Sequence, residues 1–265
     1  MSDPFVDIHC HLLPGIDDGA TDWETSLGMA QMAVADGTRT VIVTPHQLGN
    51  FAHNRGDDIR SSTLELQHVL DQHRVPLQVL AGGDVRIDDR LVELLLSGEV
   101  MTLGDKGRHV LLELPHELYF PLEEMLAALE REGITGILSH PERNQGLLRE
   151  PGLLTNLVDE GCLMQITAGS LMGTFGEHSQ RLAEWMLAEG LVHFIATDAH
   201  GTRTRRPLMR RAFDRVAELT DPKTAADLAC HNPACVARGQ SVPAGRRSRP
   251  RPSGWRRLFA KCRVA

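Results

Sequence analysis

Histidine and carboxylate residues recur in this sequence where short apolar runs end. His9 and His11 close the run Val6–His11, and His46 follows Thr40–Pro45. Asp84 comes just after Leu77–Gly82, and Glu113 stands within Val110–Leu114. His140 ends Gly136–His140, while Asp198 and His200 lie at the end of His193–Asp198. Imidazoles and carboxylates without thiolates are the ligand set of zinc, manganese or iron rather than of a thiolate-rich structural zinc centre. Eight such groups exceed what one ion needs, so two or more ions are expected. Ions set side by side bring the pKa of a water toward neutrality and clamp the oxygens of an ester. Hydrolysis is therefore the expected reaction. A solitary histidine would carry little weight, because most are structural or surface groups; the repeated placement at run ends carries it.

Phosphate handling needs fixed positive charge close to such ions. Arg143 follows His140 by three residues in SHPER, and Arg206 follows His200 by six and precedes Pro207. A guanidinium fork matches phosphate oxygens bidentately, so the pair favours a phosphoester over a carbohydrate or an amide. Two rival chemistries fit the residues badly. Many barrel amidohydrolases bridge their metals with a modified strand-end lysine, yet Lys106, Lys223 and Lys261 all lie away from the strand ends. Cysteine-based phosphatases carry arginine six positions after the nucleophile, where Cys10, Cys162, Cys230 and Cys235 are followed by Ile16, Ala168, Val236 and Ser241.

Elements that could gather these residues follow from periodicity. The six ligand-bearing runs and a seventh, Leu163–Thr167, alternate with amphipathic segments, the pattern of βα units around a parallel sheet. Helices are expected over 22–36, 57–73, 88–97, 121–132, 152–159, 177–188 and 207–219. The first is expected to open on a capping box of Thr21 with Glu24 and to bury Trp23, Leu27, Ala30, Ala33 and Val34. Parallel strands closed into a barrel bring all their C-terminal ends to one rim, where barrel enzymes keep their chemistry. Strand alternation would put Asp7, His9 and His11 on one face and Ile8, Cys10 and Leu12 on the other, making Cys10 a packed thiol.

Composition limits the remaining possibilities. The 265 residues are 42% hydrophobic and 24% charged, enough for a single large domain with a substantial core. Net charge is −7, but it divides unevenly. Residues 243–265 hold seven arginines, one lysine and no acid, leaving −15 on 1–242. An acidic body argues against a nucleic-acid partner. An odd set of five cysteines without a CxxC pair, no signal-peptide pattern and no apolar stretch long enough to span a bilayer suit a cytoplasmic protein. The domain reading is thus 1–242, followed by a basic tail over 243–265. That tail is expected to be disordered, or to form a short amphipathic helix through Trp255, Leu258, Phe259 and Cys262 at the anionic inner face of the membrane.

Taken together, DIHCHLLPGIDDG at 7–19, TPH at 44–46, LLEL at 111–114, LSHPERN at 138–144 and IATDAH at 195–200 resemble the PHP (polymerase and histidinol phosphatase) superfamily. Within it, the opening HCHLLPGIDDGA, with SHPER and a later RRP, resembles the metal-dependent protein-tyrosine phosphatases of capsule and exopolysaccharide loci, the CpsB/YwqE type, over about 1–237. The resemblance implies an α/β fold, a distorted seven-stranded (β/α)7 TIM-like barrel. It implies three divalent ions, manganese first and iron or zinc otherwise, on His9, His11, Asp18, His46, Asp84, Glu113, His140, Asp198 and His200. Arg143 and Arg206 match the phosphate-binding arginines, and Asp18 and His200 are the candidates for proton donor. At Asp84 the chain departs from the glutamate of related phosphatases; the shorter side chain bears on metal preference more than on activity. The implied substrate is the phosphotyrosine cluster at the C-terminus of a bacterial tyrosine kinase that controls polysaccharide synthesis. The alternatives are a small-molecule phosphomonoesterase such as histidinol phosphatase, and a catalytically silent regulatory barrel.

Overall fold

The computed structural model of the protein describes residues 3–246. Its strands are β1 (Phe5–Cys10), β2 (Thr38–Val43), β3 (His46–Gln47), β4 (Gln78–Ala81), β5 (Asp84–Arg86), β6 (His109–Glu113), β7 (Thr135–Ser139), β8 (Leu163–Thr167) and β9 (Phe194–Ala196). Every pairing is parallel. β1, β2 and β4 form one sheet, and β3, β5, β6, β7, β8 and β9 form a second in chain order. All seven apolar runs become strands. β3 and β5 are additions, two- and three-residue continuations of β2 and β4.

Backbone hydrogen bonds join the two sheets on both sides. Thr44 N donates to Cys10 O at 3.0 Å and Asp84 N to Pro45 O at 3.1 Å, carrying the ladder from the first sheet into the second. On the far side Asp198 N donates to His9 O at 2.8 Å and His11 N to Ala199 O at 2.9 Å, with a parallel bridge between Cys10 and Ala199. The parallel strands therefore ring a common interior. Val6, Ile8, Ile42, Leu111, Ile137, Leu163 and Phe194 fill it, one or two from each of β1, β2, β6, β7, β8 and β9, capped by Leu103, Val236 and Val242. Such layers of branched side chains are how a barrel of parallel strands excludes water.

Helices cover the outside: α1 (Trp23–Asp36), α2 (Gly56–Gln72), α3 (Leu91–Ser97), α4 (Glu123–Arg131), α5 (Gln145–Arg149), α6 (Gly152–Asp159), α7 (Ala168–Leu171), α8 (Glu177–Ala188), α9 (Arg210–Leu219), α10 (Pro222–Ala226) and α11 (Asn232–Ala237). Two outer apolar layers lie beneath them. One packs Cys10, Leu12, Met29 and Ala30 with Val41, Ile59, Leu66 and Leu70. The other runs beneath α3 to α9. The expected start of α1 shifts by one residue. Asp22, not Thr21, is the cap: its Oδ1 accepts from Thr25 N at 2.7 Å, while the Thr21 hydroxyl donates to Asp22 Oδ2. The buried face of α1 is accordingly Ser26, Met29, Ala30 and Ala33, and Trp23 is left 38% exposed.

Alternation also breaks within β1. Its register with β2 shifts between Asp7 and Cys10, an irregularity that re-aims side chains. Ile8 packs in the interior while Cys10 and Leu12 pack in the outer layer. Asp7 points away from His9 and His11 toward β9, where its carboxylate accepts from Thr197 N at 3.0 Å and from the Thr197 hydroxyl. Packing continues past the expected boundary at 242: Val242 is buried, Gly245 O lies 3.1 Å from His193 Nε2, and Arg246 pairs with Asp159. The candidate tail helix through Trp255, Leu258, Phe259 and Cys262 lies outside the described residues. Among the described residues no helix is long and apolar enough to cross a membrane.

Candidate metal centre

Nine side chains meet where the strands end. Four overlapping groups have ligand atoms within 4.8 Å of one another: His11, Asp18, His46 and His200; His9, His11 and Asp84; His9, His140 and Asp198; and His46, Asp84 and Glu113. His9 and His11 come from β1 and the residue after it, His46 opens β3, Asp84 opens β5 and Glu113 ends β6. His140 follows β7, and Asp198 and His200 follow β9. Two of these residues hold left-handed backbone, His140 at φ 33° and Asp198 at φ 49°. Each costs on the order of 1–3 kcal/mol, held in place by the surrounding packing.

Distances within the cluster are those of atoms facing a shared centre. His9 Nε2 lies 3.2 Å from His11 Nε2, 3.2 Å from Asp198 Oδ1 and 3.5 Å from Asp84 Oδ2. His46 Nδ1 lies 3.3 Å from Asp84 Oδ2 and 3.7 Å from Glu113 Oε2, and His46 Nε2 lies 3.4 Å from Asp18 Oδ1. His200 Nε2 lies 3.3 Å from the same Asp18 oxygen. Asp84 is fully buried, yet neither of its carboxylate oxygens has a hydrogen bond; the buried His200 Nε2 likewise has none. An uncompensated carboxylate in a dry interior is costly unless a cation pairs with it. The donor set and these orphaned atoms fit divalent metal ions.

Electrostatics point the same way. Burial alone would lower His9, but Asp198 and Asp84 outweigh it and hold it up at about 9. His46 is likewise raised against its burial, to about 11, by Asp18 and Asp84. Burial works against Asp84 and Asp198, and neighbouring histidines still keep both well below the carboxylate range. Burial and then Asp84 lift Glu113 to about 7, and burial with Arg143 lowers His140 to about 3. Around Asp84 the cluster draws positive charge at His9, His46 and Glu113, the demand a bound cation would meet, whereas His140 stays neutral with a ring lone pair free.

Three outer partners fix the ring tautomers. Gln165 Oε1 lies 2.8 Å from His9 Nδ1 and Asp17 Oδ2 lies 2.7 Å from His11 Nδ1. Each accepts a proton there and leaves Nε2 as the lone pair facing the cluster. His200 Nδ1 donates to Asp198 O at 3.0 Å. Asp17 also accepts from Gly19 N at 2.9 Å and His46 N at 3.1 Å, tying the 13–20 loop to β3. That loop closes only because position 19 is glycine, where a Cβ would stand 2.4 Å from His11 Cβ and O. Sequence reading missed Asp17, whose only signal was its place beside Asp18, and Gln165, which sits on the strand without a ligand.

The arginines fall differently from expectation. Arg143 pairs with Asp198 Oδ2. Arg206 is exposed and makes no side-chain ion pair among the described residues, whereas Arg205 Nη2 reaches Asp198 Oδ2 at 2.5 Å. The reason is backbone: Arg205 has φ 45° and its carbonyl accepts from His200 N at 2.9 Å, a turn with Arg205 on its inner side. Cys10 takes no part; its thiol is buried against Ala199 O.

Known proteins are similar to this chain in sequence and in fold. The family model described as capsular polysaccharide synthesis, CpsB/CapC, matches residues 5–238. The tyrosine-protein phosphatase YwqE of Bacillus subtilis is 37% identical over 202 residues, covering 76% of this chain and 79% of its own. The tyrosine-protein phosphatase CpsB of Streptococcus pneumoniae is 27% identical over 243 residues, covering 89% and 100%. A chain from the crystal structures of YwqE and CpsB, metal-dependent tyrosine phosphatases, superposes with a TM-score of 0.87 at 32% identity, covering 92% of this chain and 100% of that one. With a matched model over nearly its whole described length, the chain belongs to the CpsB/CapC family of capsular polysaccharide synthesis.

Proposed function

We propose that this chain is a metal-dependent protein-tyrosine phosphatase acting on a phosphotyrosine protein in capsular or exopolysaccharide synthesis. One observation carries the reading: nine side chains able to hold metal converge at the strand ends beside two arginines paired with one of them, Asp198. The finer assignments are three ions, manganese before iron or zinc, and a partner that is a bacterial tyrosine kinase dephosphorylated at its C-terminal tyrosine cluster in the cytoplasm. Membrane contact through 243–265 belongs with them.

Divalent ions in the cluster would supply Lewis acidity, activating water and neutralising phosphoryl oxygens. His9, His11, Asp84 and Asp198 would hold them on the buried side, and His46, Asp18, Glu113, His140 and His200 around it. Arg143 would bind the non-bridging phosphoryl oxygens, with Arg205 beside it; Arg206 would join only by turning inward. Guanidinium groups aimed at oxygens that gain charge are worth more in a site from which water is excluded. Asp18 and His200, whose Oδ1 and Nε2 lie 3.3 Å apart at the mouth, are the candidates for passing the leaving oxygen its proton, a role open to whichever of them does not hold an ion. A tyrosine phenolate asks little of that proton because its pKa is about 10. The open mouth supports access by a protein substrate: the Asp18 side chain is 56% exposed, and His46 and Glu113 are partly exposed beside it.

The test is hydrolysis of a phosphotyrosine peptide and of histidinol phosphate, side by side, by protein stripped of metal and reloaded with manganese. Metal-dependent turnover of the peptide, lost in His140→Ala, is expected. Preference for histidinol phosphate, or silence toward both esters at full metal occupancy, overturns the reading.

A further inference from the structure

The loop after β8 is the strand-end loop that brings no ligand to the cluster. β8 lies between β7 and β9, so this loop stands between the one bearing Arg143 and the one bearing Arg205. After α7 the chain turns at Gly173 (φ 75°) and Gly176 (φ 89°), with Thr174 N donating to Gly169 O at 2.9 Å. The turn presses Phe175 against the start of the loop: a Cβ at Gly169 would stand 3.0 Å from Phe175 Cε2. The guanidinium carbon of Arg143 lies 4.2 Å from the centre of that ring, and that of Arg205 lies 5.9 Å from it.

Both guanidinium groups share one oxygen, Asp198 Oδ2, while Asp198 Oδ1 faces His9 and His11. Two cations on one carboxylate oxygen repel each other, and that carboxylate is also wanted on the ligand side. The face of an aromatic ring attracts both cations by its quadrupole and makes no demand on Asp198. We propose that Phe175 is a positioning residue that holds Arg143 and Arg205 side by side as a clamp for the phosphoryl group. The strand without a ligand thereby supports the half of the site that binds the anion. This inference rests on the phosphatase reading for its substrate, but not for its binding measurement.

The experiment measures binding of inorganic phosphate to the metal-loaded protein by calorimetry, together with KM and kcat on a phosphotyrosine peptide. Phe175→Leu is expected to weaken phosphate binding about three- to thirtyfold and to raise KM more than it lowers kcat, with metal content unchanged. Phe175→Trp keeps the ring face and is expected to restore affinity to within about twofold. In an Arg143→Gln, Arg205→Gln background, Phe175→Leu is expected to add nothing, as for residues acting through one another. Unchanged phosphate affinity in Phe175→Leu, no rescue by Phe175→Trp, or an undiminished effect in the double background each overturns the proposal. If Phe175→Leu fails to fold, Arg205→Gln decides: about tenfold weaker phosphate binding supports the clamp, and unchanged binding overturns it. Phe175-dependent phosphate binding in a protein that cleaves no phosphotyrosine supports the clamp and sinks the phosphatase reading. Peptide turnover with affinity indifferent to Phe175 does the reverse.

Discussion

The rim of strand ends has two halves of opposite character. From β1 to β6 it is crowded with imidazoles and carboxylates: His9, His11, Asp17, Asp18, His46, Asp84 and Glu113. From β7 to β9 it also carries His140, Asp198 and His200, but their loops add Arg143 and Arg205 with Phe175 between them. Asp198 touches both halves, facing His9 and His11 through one oxygen and the arginines through the other. The first half offers groups that could hold cations, and the second adds groups that could hold an oxyanion. A phosphoryl group between them would meet positive charge on either side, from bound ions and from guanidinium groups.

Separate substitutions should break the two halves separately. Asp84→Asn removes a buried charge that faces both His9 and His46. Loss of an outer partner alone commonly costs 10–100-fold in metal affinity, so this variant should lose more than about a hundredfold, read by metal analysis after dialysis and by kcat/KM. Arg143→Lys keeps a charge but loses the planar fork. It should lower kcat/KM on a phosphotyrosine peptide by about a hundredfold while metal content stays at the wild-type value. Equal metal loss in both variants would dissolve the division into halves.

Smaller effects are expected away from the rim. His109 opens β6 at the opposite end from Glu113, where burial and then Arg108 lower it to about 4. The unfolded chain takes up this proton near 6.5 and the folded chain only near 4, so the unfolded state binds more protons between those values. Stability should therefore fall as pH drops through that window, by about 2 kcal/mol between pH 7 and pH 5. His109→Leu should flatten the dependence in denaturant melts. Last, Asp22→Ala removes the cap of α1 and should cost about 1 kcal/mol, with metal affinity and turnover unchanged.

What could be read in the sequence, and what could not, follows from how local each feature is. Eight of the nine clustered positions were legible because residue type and place at a run end are both written in the chain, and parallel strands do the gathering; Asp18, in the 13–20 loop, came only with the family resemblance. Asp17 and Gln165 were not, because a second partner is defined by a contact across the fold: Gln165 meets His9 over 156 positions. The pairing of Arg205 with Asp198 was not legible, because it depends on a backbone angle, φ 45° at Arg205, which no spacing reveals. Asp7 failed on a register shift in β1, since alternation assumes an unbroken ladder. Thr21 lost the cap to its neighbour because both residue types serve there. β3 and β5 were too short to leave a periodic signal.

The segment around Gly245 and Arg246 docks on His193 and Asp159, residues that precede β9 and β8. It therefore sits at the end of the strands where they begin, about 16 Å of strand away from the ligands where they finish. Anchoring the molecule by a linker joined at Arg246, on a sensor chip or a bead, would hold it by the end of the strands opposite the mouth. Substrate as large as a folded protein could then approach an immobilised molecule without collision, and phosphate or peptide titrations on such a surface would report the same accessible site as in solution.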